Sequence, residues 1–192
     1  GSEMCIRDRI ATILEQTEKL DFLIQSLVKL SRMESGIIAV HSEDTTIKQM
    51  LESIQQQFNA KVREKNITLS LCDTDLHVRC DSKWTVEALG NIVDNAIKYT
   101  ACGGNVQIKV EQNSFFVKID IIDDGIGIEK EEIPKIFGRF YRSLSVADQP
   151  GVGIGLFLAR EIIQAQKGYI KVTSKRGKGS TFSVFLPIAK KE

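Results

Sequence analysis

Apolar positions along this chain recur at two spacings, and the switches between them give the order of elements. From Ile10 a heptad runs through Ile13, Thr17, Leu20, Ile24, Leu27 and Ser31, flanked by Leu14, Leu23, Val28 and Leu30. This predicts a long helix ending near Ser35-Gly36, with Gly36 as C-cap. So wide an apolar face suits a helix paired with a partner chain or another helix better than one packed on its own domain. A second helix is predicted over residues 46–64, with Ile47, Met50, Leu51, Ile54, Phe58 and Val62 inward and Asp44 or Thr45 as cap. A third starts at Asp81 or Ser82 and buries Val86, Leu89, Ile92, Val93, Ala96 and Ile97. A short helix over Glu129–Ile133 stops at Pro134. The last helix, Ile154–Lys167, is ended by Gly168.

Between these lie segments of period two, which predict strands. They are Ile37–Val40, Ile67–Leu71, Leu76–Cys80, Val106–Glu111, Phe115–Ile122, Tyr169–Ser174 and Thr181–Leu186. Asp73-Thr74-Asp75 reads as the turn joining the second and third. Gln112-Asn113-Ser114 and Arg176–Gly179 read as hairpin turns. RSLSVADQP (142–150) is polar and aperiodic, and reads as a mobile loop. Strands and helices in unequal runs give an α+β fold, a sheet with helices on one face.

Composition narrows the class. The 192 residues suffice for one domain plus an extra element, and 42% hydrophobic with 27% charged residues is a globular balance. A net charge of +1 gives no electrostatic reason to expect nucleic acid or an anionic membrane. No apolar run reaches the length of a membrane span, and no secretory signal pattern is present. Cys5, Cys72, Cys80 and Cys102 form no CxxC pair and no disulfide framework, which points to a reducing cytosolic setting. Cys72, His77 and Cys80 match no common zinc spacing; alternating strand residues explain them better. Gly1-Ser2 reads as a tag remnant, and residues 1–8 are set aside from the fold.

Three stretches carry candidate chemistry. In NIVDNAIKY, Asn91, Asn95, Lys98 and Tyr99 fall at i, i+4, i+7 and i+8, on one side of the third helix. Asn is a poor helix-interior residue, so two of them one turn apart suggest a face that binds something polar. A solvated helix face is the plainer alternative. IDIIDDGIGI delivers Asp123 from a buried-type strand into a turn with Gly125 and Gly127, followed by Ile128. A carboxylate there can accept a hydrogen bond from an exocyclic amino group, although most such turns are only turns. GVGIGL places Gly151, Gly153, Gly155 and Leu156 at the start of the last helix, where free N–H groups make an anion site. No dinucleotide fingerprint or P-loop surrounds it.

An Asn-rich helix, an Asp-Gly turn, a Phe pair, a polar loop, a Gly-rich helix start and a Gly-Lys-Gly-Ser-Thr hairpin follow one another in this order. The chain thereby resembles, over residues 10–188, the ATP-binding domain of sensor histidine kinases of two-component systems. The resemblance implies a Bergerat-type two-layer α/β sandwich with a mixed sheet, spanning residues 37–192. Residues 1–36 would be a tag remnant and the second helix of the dimerisation and histidine-phosphotransfer hairpin. By the same resemblance Asn95 offers its amide oxygen to Mg²⁺, and Asn91, Lys98 and Tyr99 line the phosphate and ribose side of ATP. Asp123 would read adenine N6 within the first glycine box, Gly125 to Ile128. Phe137 and Phe140 match the F box, with Arg142, or alternatively Arg139, near the phosphates. Gly151, Gly153, Gly155 and Leu156 match the second glycine box, residues 142–150 the ATP lid, and Gly177, Gly179, Ser180 and Thr181 the last turn. Implied partners are a response regulator receiver domain and a second copy, joined through the N-terminal helix. The implied parent is anchored in the bacterial inner or plasma membrane, with this domain in the cytoplasm.

Departures from the family pattern bear on activity. Its phosphoacceptor His precedes an acidic residue and a Pro; His41 and His77 match neither, so the acceptor helix is expected to lie outside this chain. Gly138 and Val152 replace a polar or acidic residue and a Thr. Hydrolytic relatives keep a Glu base four residues before the Mg-binding Asn, where this chain has Asn91. Glu87 would take that role only in a shifted register that leaves Lys98 and Tyr99 unexplained. The expected function is therefore transfer of the ATP γ-phosphoryl to a His and thence to a regulator Asp. A non-catalytic ATP-gated module, or an ATPase of the same fold, is the alternative.

Overall fold

A computed structural model describes residues 2–35, 40–143 and 151–188. In chain order the elements are α1 (Ser2–Glu34), β1 (Glu43–Thr46), α2 (Ile47–Glu64), β2 (Thr68–Leu71), β3 (His77–Cys80), α3 (Ser82–Tyr99), β4 (Asn105–Gln112), β5 (Phe116–Asp123), α4 (Gly155–Ala165), β6 (Tyr169–Ser174) and β7 (Ser180–Pro187). Five strands form a mixed sheet in the order β2-β4-β5-β7-β6, parallel only between β2 and β4. This is the expected helix-covered mixed sheet, preceded by a long helix.

The core lies between this sheet and α2, α3 and α4. Residues pointing to the helices alternate along the strands: Val106 and Ile108 on β4, Val117, Ile119 and Ile121 on β5, Phe182, Val184 and Leu186 on β7. Opposing them are Ile54 and Phe58 of α2, Leu89, Ile92 and Val93 of α3, and Leu158 and Ile162 of α4, all fully or almost fully buried. α3 is the central helix, in contact with both others. Asp81 caps it by accepting Trp84 N–H at 3.1 Å. Gln166, buried at the end of α4, accepts Asp81 N–H at 2.7 Å and the Thr85 hydroxyl at 3.2 Å. That satisfied polar pin fixes α4 against the start of α3.

Several expectations change. The strands expected at 67–71 and 76–80 are present as Thr68–Leu71 and His77–Cys80 but do not form a hairpin. β2 pairs parallel with β4, the crossover being made through α3, while β3 pairs antiparallel with β1 in a separate two-stranded sheet. β1 is the polar segment Glu43–Thr46, with only Thr45 buried, so its strand state rests on pairing rather than on an apolar period. Thr46 is the N-cap of α2 but makes no side-chain cap bond, and Asp44 and Thr45 belong to β1. The strand expected at 37–40 is largely outside the described residues, as are Gly36 and, within the loop, residues 144–150. Residues 129–133 form successive turns instead of a helix, with Glu132 N–H on Glu129 O at 2.9 Å and Lys135 N–H on Glu132 O at 2.8 Å. Pro134 follows too closely for a helix to propagate. The left-handed residue after α4 is Lys167 (φ 62°), not Gly168. Gly168 is required for another reason: a Cβ there would collide with the Phe185 carbonyl. α1 begins at Ser2 instead of Ile10, since nothing in SEMCIRDR breaks a helix.

α1 contrasts with the other helices. Ile10, Ile13, Leu14, Leu20, Ile24, Leu27 and Val28 are more than two-fifths exposed, while Ser26 and Leu30 are buried against the domain. Among the described residues no helix is long and apolar enough to cross a membrane.

Candidate nucleotide-binding site

The C-terminal half of α3, the end of β5 and the start of α4 surround one cavity of about 620 Å³. That volume is in the range of small-ligand sites. Asn91, Asn95, Lys98 and Tyr99 all line it, because Ile92, Val93, Ala96 and Ile97 turn the opposite side of α3 into the core. Asp123, Gly127 and Ile128 contribute from the end of β5, Arg142 from the following segment, and Gly151, Gly153, Gly155 and Leu156 from the start of α4.

Asp123 is 7% exposed and sits where β5 leaves the sheet. Its Oδ1 accepts Gly125 N–H at 2.9 Å and Ser180 N–H at 3.2 Å. Both donors go to the same oxygen, which leaves the second carboxylate oxygen available to a ligand. Burial pushes the Asp123 pKa up; the two backbone N–H bonds oppose the shift, and neighbouring Asp124 adds to it. Asp124 itself lies outside the cavity lining and binds Asn105 through its backbone N–H (2.9 Å) and amide (2.7 Å).

The turn after Asp123 is locked onto its neighbours. Ile126 N–H donates to Tyr99 O at 3.2 Å, Gly177 N–H to Ile126 O at 2.8 Å, and Ile128 N–H to Ser174 Oγ at 2.8 Å. Gly127 has φ 65°, and a Cβ there would collide with the Lys175 carbonyl, so only Gly fits. The final Gly-Lys-Gly-Ser-Thr hairpin is therefore the buttress of the first Gly-rich turn.

The opposite wall is cationic and has an uncapped helix start. Burial, then the charge of Arg142, holds the Lys98 pKa below its ordinary value. Lys98 Nζ lies 4.9 Å from the Tyr99 ring centre, and burial raises the Tyr99 hydroxyl pKa. Two cations in one half-buried cavity repel each other, and a polyanion relieves that cost. The N-cap of α4, Ile154, offers no side-chain acceptor, so the first N–H groups of the helix face the cavity unsatisfied by a cap. Gly155 packs on Asn91, with a Cβ position 3.1 Å from Asn91 Oδ1, and Asn91 Nδ2 is buried without a partner among the described residues. A buried amide donor beside an uncapped helix start is a group that the oxygens of an anionic ligand would satisfy.

Several expected residues are not brought to the cavity. Gly125 packs against the Tyr99 backbone, its Cβ position 2.5 Å from the Tyr99 carbonyl oxygen. Phe137 packs on the core with Arg160 over its ring at 5.7 Å. Phe140 is 53% exposed in a left-handed conformation (φ 60°). Thr181 belongs to the outer set of β7 residues, while Ser180 and Phe182, one step either side, line the cavity. Residues 144–150 of the expected lid are outside the described residues. Arg139 does not line the cavity but stacks 4.7 Å from the Phe157 ring.

Other lining residues escaped the sequence reading. Lys61, Glu64 and Lys65 reach the cavity from the end of α2, Asp94 from α3, Tyr141 from the segment before Arg142, and Phe22 from α1. The first three share one side of α2 at i, i+3 and i+4, a spacing visible in the sequence but indistinguishable there from a solvated face. Glu87, the base of the shifted register, does not line the cavity and instead pairs with Lys29 of α1 at 2.7 Å. His41 and His77 also lie away from it, the latter with Nδ1 2.8 Å from Asp44 Oδ1. Cys80 is fully buried in the core beside the Met50 sulfur.

Comparison with known proteins agrees with this geometry. The family model described as Histidine kinase-, DNA gyrase B-, and HSP90-like ATPase matches residues 80–190. The sensor histidine kinase WalK of Bacillus subtilis (strain 168) is 34% identical over 177 residues, covering 90% of this chain and 29% of WalK. The sensor protein SrrB of Staphylococcus aureus is 29% identical over 186 residues, covering 95% of this chain and 32% of SrrB. The chain thus spans about a third of the length of these relatives. Among solved structures, the nucleotide-free catalytic domain of histidine kinase ThkA superposes with TM-score 0.67 at 26% identity, over 77% of this chain and 95% of that one. ThkA in complex with response regulator protein TrrA gives TM-score 0.73 at 24% identity, over 90% of this chain and 49% of that one, a likeness of fold. An Asp-anchored turn, a polar α3 face and an uncapped α4 start, converging on one cavity within a matching domain, identify the chain as a member of the histidine kinase-, DNA gyrase B- and HSP90-like ATPase family.

Proposed function

We propose that this chain is the ATP-binding catalytic portion of a sensor histidine kinase, and that the parent protein transfers the γ-phosphoryl of ATP to a His imidazole and then to an Asp of a response regulator receiver domain. The observation that carries the reading is the shared cavity: a buried carboxylate at one end, and Lys98, Arg142 and the start of α4 at the other. Asp123 accepts the adenine amino group, and Asn91, Lys98 and Tyr99 take the ribose and phosphate side. In the transfer, the imidazole nitrogen forms a bond to the γ-phosphorus as the bond to the ADP oxygen breaks. Lys98, Arg142 and the N–H groups of α4 spread the phosphate charge, and positioning supplies most of the acceleration. No side chain need take a proton from water. Asn91 has no basicity, and Glu87 is engaged with Lys29. This favours phosphotransfer over hydrolysis.

Asn95 would hold Mg²⁺ through its amide oxygen, and the ion, when bound, neutralises phosphate charge. No group of three or more acidic, His or Cys side chains that could hold a metal occurs among the described residues. One amide ligand fits an ion that keeps waters and takes the rest of its oxygens from phosphates. The exposed apolar row of α1 supports pairing with a second copy through the dimerisation hairpin. The acceptor His would belong to the hairpin's other helix. The pairing of ThkA with TrrA supports a receiver domain as the downstream partner. By analogy with sensor kinases, the parent is anchored in the bacterial inner or plasma membrane with this portion cytoplasmic.

Titration with a fluorescent ATP analogue tests the nucleotide assignment. Asp123→Asn should weaken affinity roughly tenfold or more, because the amide presents a donor where adenine needs an acceptor. Equal affinities would remove Asp123 from the adenine site. Asn95→Ala should flatten the Mg²⁺ dependence of binding while leaving metal-free binding in place. In the full-length parent, labelled ATP should give an acid-labile phosphate.

A further inference from the structure

The end of α2 reaches the cavity through a side chain that none of the motifs above contains. Lys65, half-buried at the C-cap of α2, donates to three backbone carbonyls at the end of α3: Ile97 O at 2.8 Å, Lys98 O at 2.9 Å and Thr100 O at 2.7 Å. An ammonium has three N–H donors, and all three are used. Carbonyls at a helix C-terminus lack intrahelical partners and carry the negative end of the helix dipole, so a cation there is doubly favoured. The carbonyl skipped by Lys65 is that of Tyr99, which accepts Ile126 N–H at 3.2 Å from the Asp123 turn. Lys65's own carbonyl accepts Gly103 N–H at 3.0 Å, and Thr68 N–H donates to Gly104 O at 2.9 Å, so the chain leaving α3 is tied back to α2 and β2.

We infer that Lys65 is a positioning residue of the nucleotide site. It fixes the last turn of α3 so that Tyr99 O holds the Asp123 turn at the depth adenine requires. Two residues along α3, Lys98 and Tyr99, project from this same turn, so one ammonium sets both walls. An ordinary C-capping lysine would stabilise α3 without affecting binding. Here the capped turn is itself the anchor of the adenine-side loop, which gives the two roles different signatures.

The inference rests on the nucleotide reading above, and the test separates the two. Affinity for the fluorescent ATP analogue and for adenosine, which lacks phosphates, is measured by titration in wild type, Lys65→Met, Lys65→Arg and Val62→Ala. Val62 is a partly buried α2 neighbour packed on the core, and its truncation serves as a stability-matched control. Lys65→Met should weaken both ligands by about the same factor, near tenfold, and Lys65→Arg should recover most of it. Val62→Ala should bind as wild type at a similarly lowered unfolding midpoint. Undiminished binding by Lys65→Met overturns the inference. So does a loss confined to the ATP analogue, which would make Lys65 a phosphate contact, and so does an equal loss in Val62→Ala. Should Lys65→Met not fold, Lys65→Gln replaces it, with partial loss expected and none overturning. Absence of binding in wild type would fail the nucleotide reading itself.

Discussion

The two Gly-rich turns face the same cavity but are built in opposite ways. The turn after Asp123 spends its backbone groups inward. Its N–H groups go to Asp123 Oδ1, Tyr99 O and Ser174 Oγ, and its Ile126 carbonyl accepts Gly177 N–H. The turn before α4 has left-handed glycines too, with φ 147° at Gly151 and 76° at Gly153, yet among the described residues its hydrogen bonds begin only with Leu158 N–H on Ile154 O, already inside the helix. A turn with three of its N–H donors engaged, at Gly125, Ile126 and Ile128, can hold a carboxylate at a fixed depth. One whose donors remain available can bind an anion. Glycine spacing alone does not tell these apart, because the same residue serves a locked backbone and an open one.

That comparison can be broken by substitution. The largest effect is expected at Gly127. Gly127→Ala combines a left-handed Cβ with a collision against the Lys175 carbonyl, and should cost roughly 2–4 kcal/mol of folding stability in urea denaturation. A cost below about 1 kcal/mol would mean that the hairpin does not buttress the turn. Gly153→Ala should cost less in stability, about 1 kcal/mol, although its Cβ would sit 2.5 Å from Tyr141 O. That carbonyl lies on a segment outside the sheet and helices, held by turn contacts such as Tyr141 N–H on Gly138 O at 3.3 Å, so it can shift. Its main effect should be on nucleotide affinity, about tenfold. If the two variants ranked the other way in denaturation, the locked-versus-open distinction would be wrong.

The smallest effect sharpens the open side. Lys98 has its folded pKa depressed by burial and by Arg142, so its charged form costs stability in the empty site. The sign follows: the contribution to folding is present above the unfolded pKa near 10.5 and is lost as pH falls through the lower folded value. At neutral pH the charge is therefore a burden that a bound polyanion lifts. Lys98→Met should raise the unfolding midpoint slightly without nucleotide and reduce the further rise produced by the ATP analogue. A lowered midpoint in the nucleotide-free variant would show that Lys98 is already compensated.

Much of the site was legible because it rests on short-range geometry. Asn91, Asn95, Lys98 and Tyr99 share a side of α3 by helical period alone, and Asp123 enters a turn because glycines follow it directly. What misled was register. Thr181 and Ser180 differ by one position, and a one-residue step in a strand exchanges the cavity side for the outer side. Phe137 and Phe140 share a motif, yet the first packs on the core and the second is exposed. Their spacing fits no single period, because residues 130–140 are a series of turns.

The sequence by itself determined the helices with their apolar stripes, the antiparallel hairpins β4–β5 and β6–β7, and the polar face and Asp-Gly turn that meet at one cavity. Each depends on residues within a few positions of one another. Only the tertiary structure decided the parallel pairing of β2 with β4, the β1–β3 ribbon, the pairing of Glu87 with Lys29, and the reach of Lys65 to the carbonyls closing α3. These join residues some thirty to sixty positions apart, and backbone carbonyls as acceptors have no residue signature. Their pairing is set by how α2 and α3 pack on a shared core, which no local period encodes.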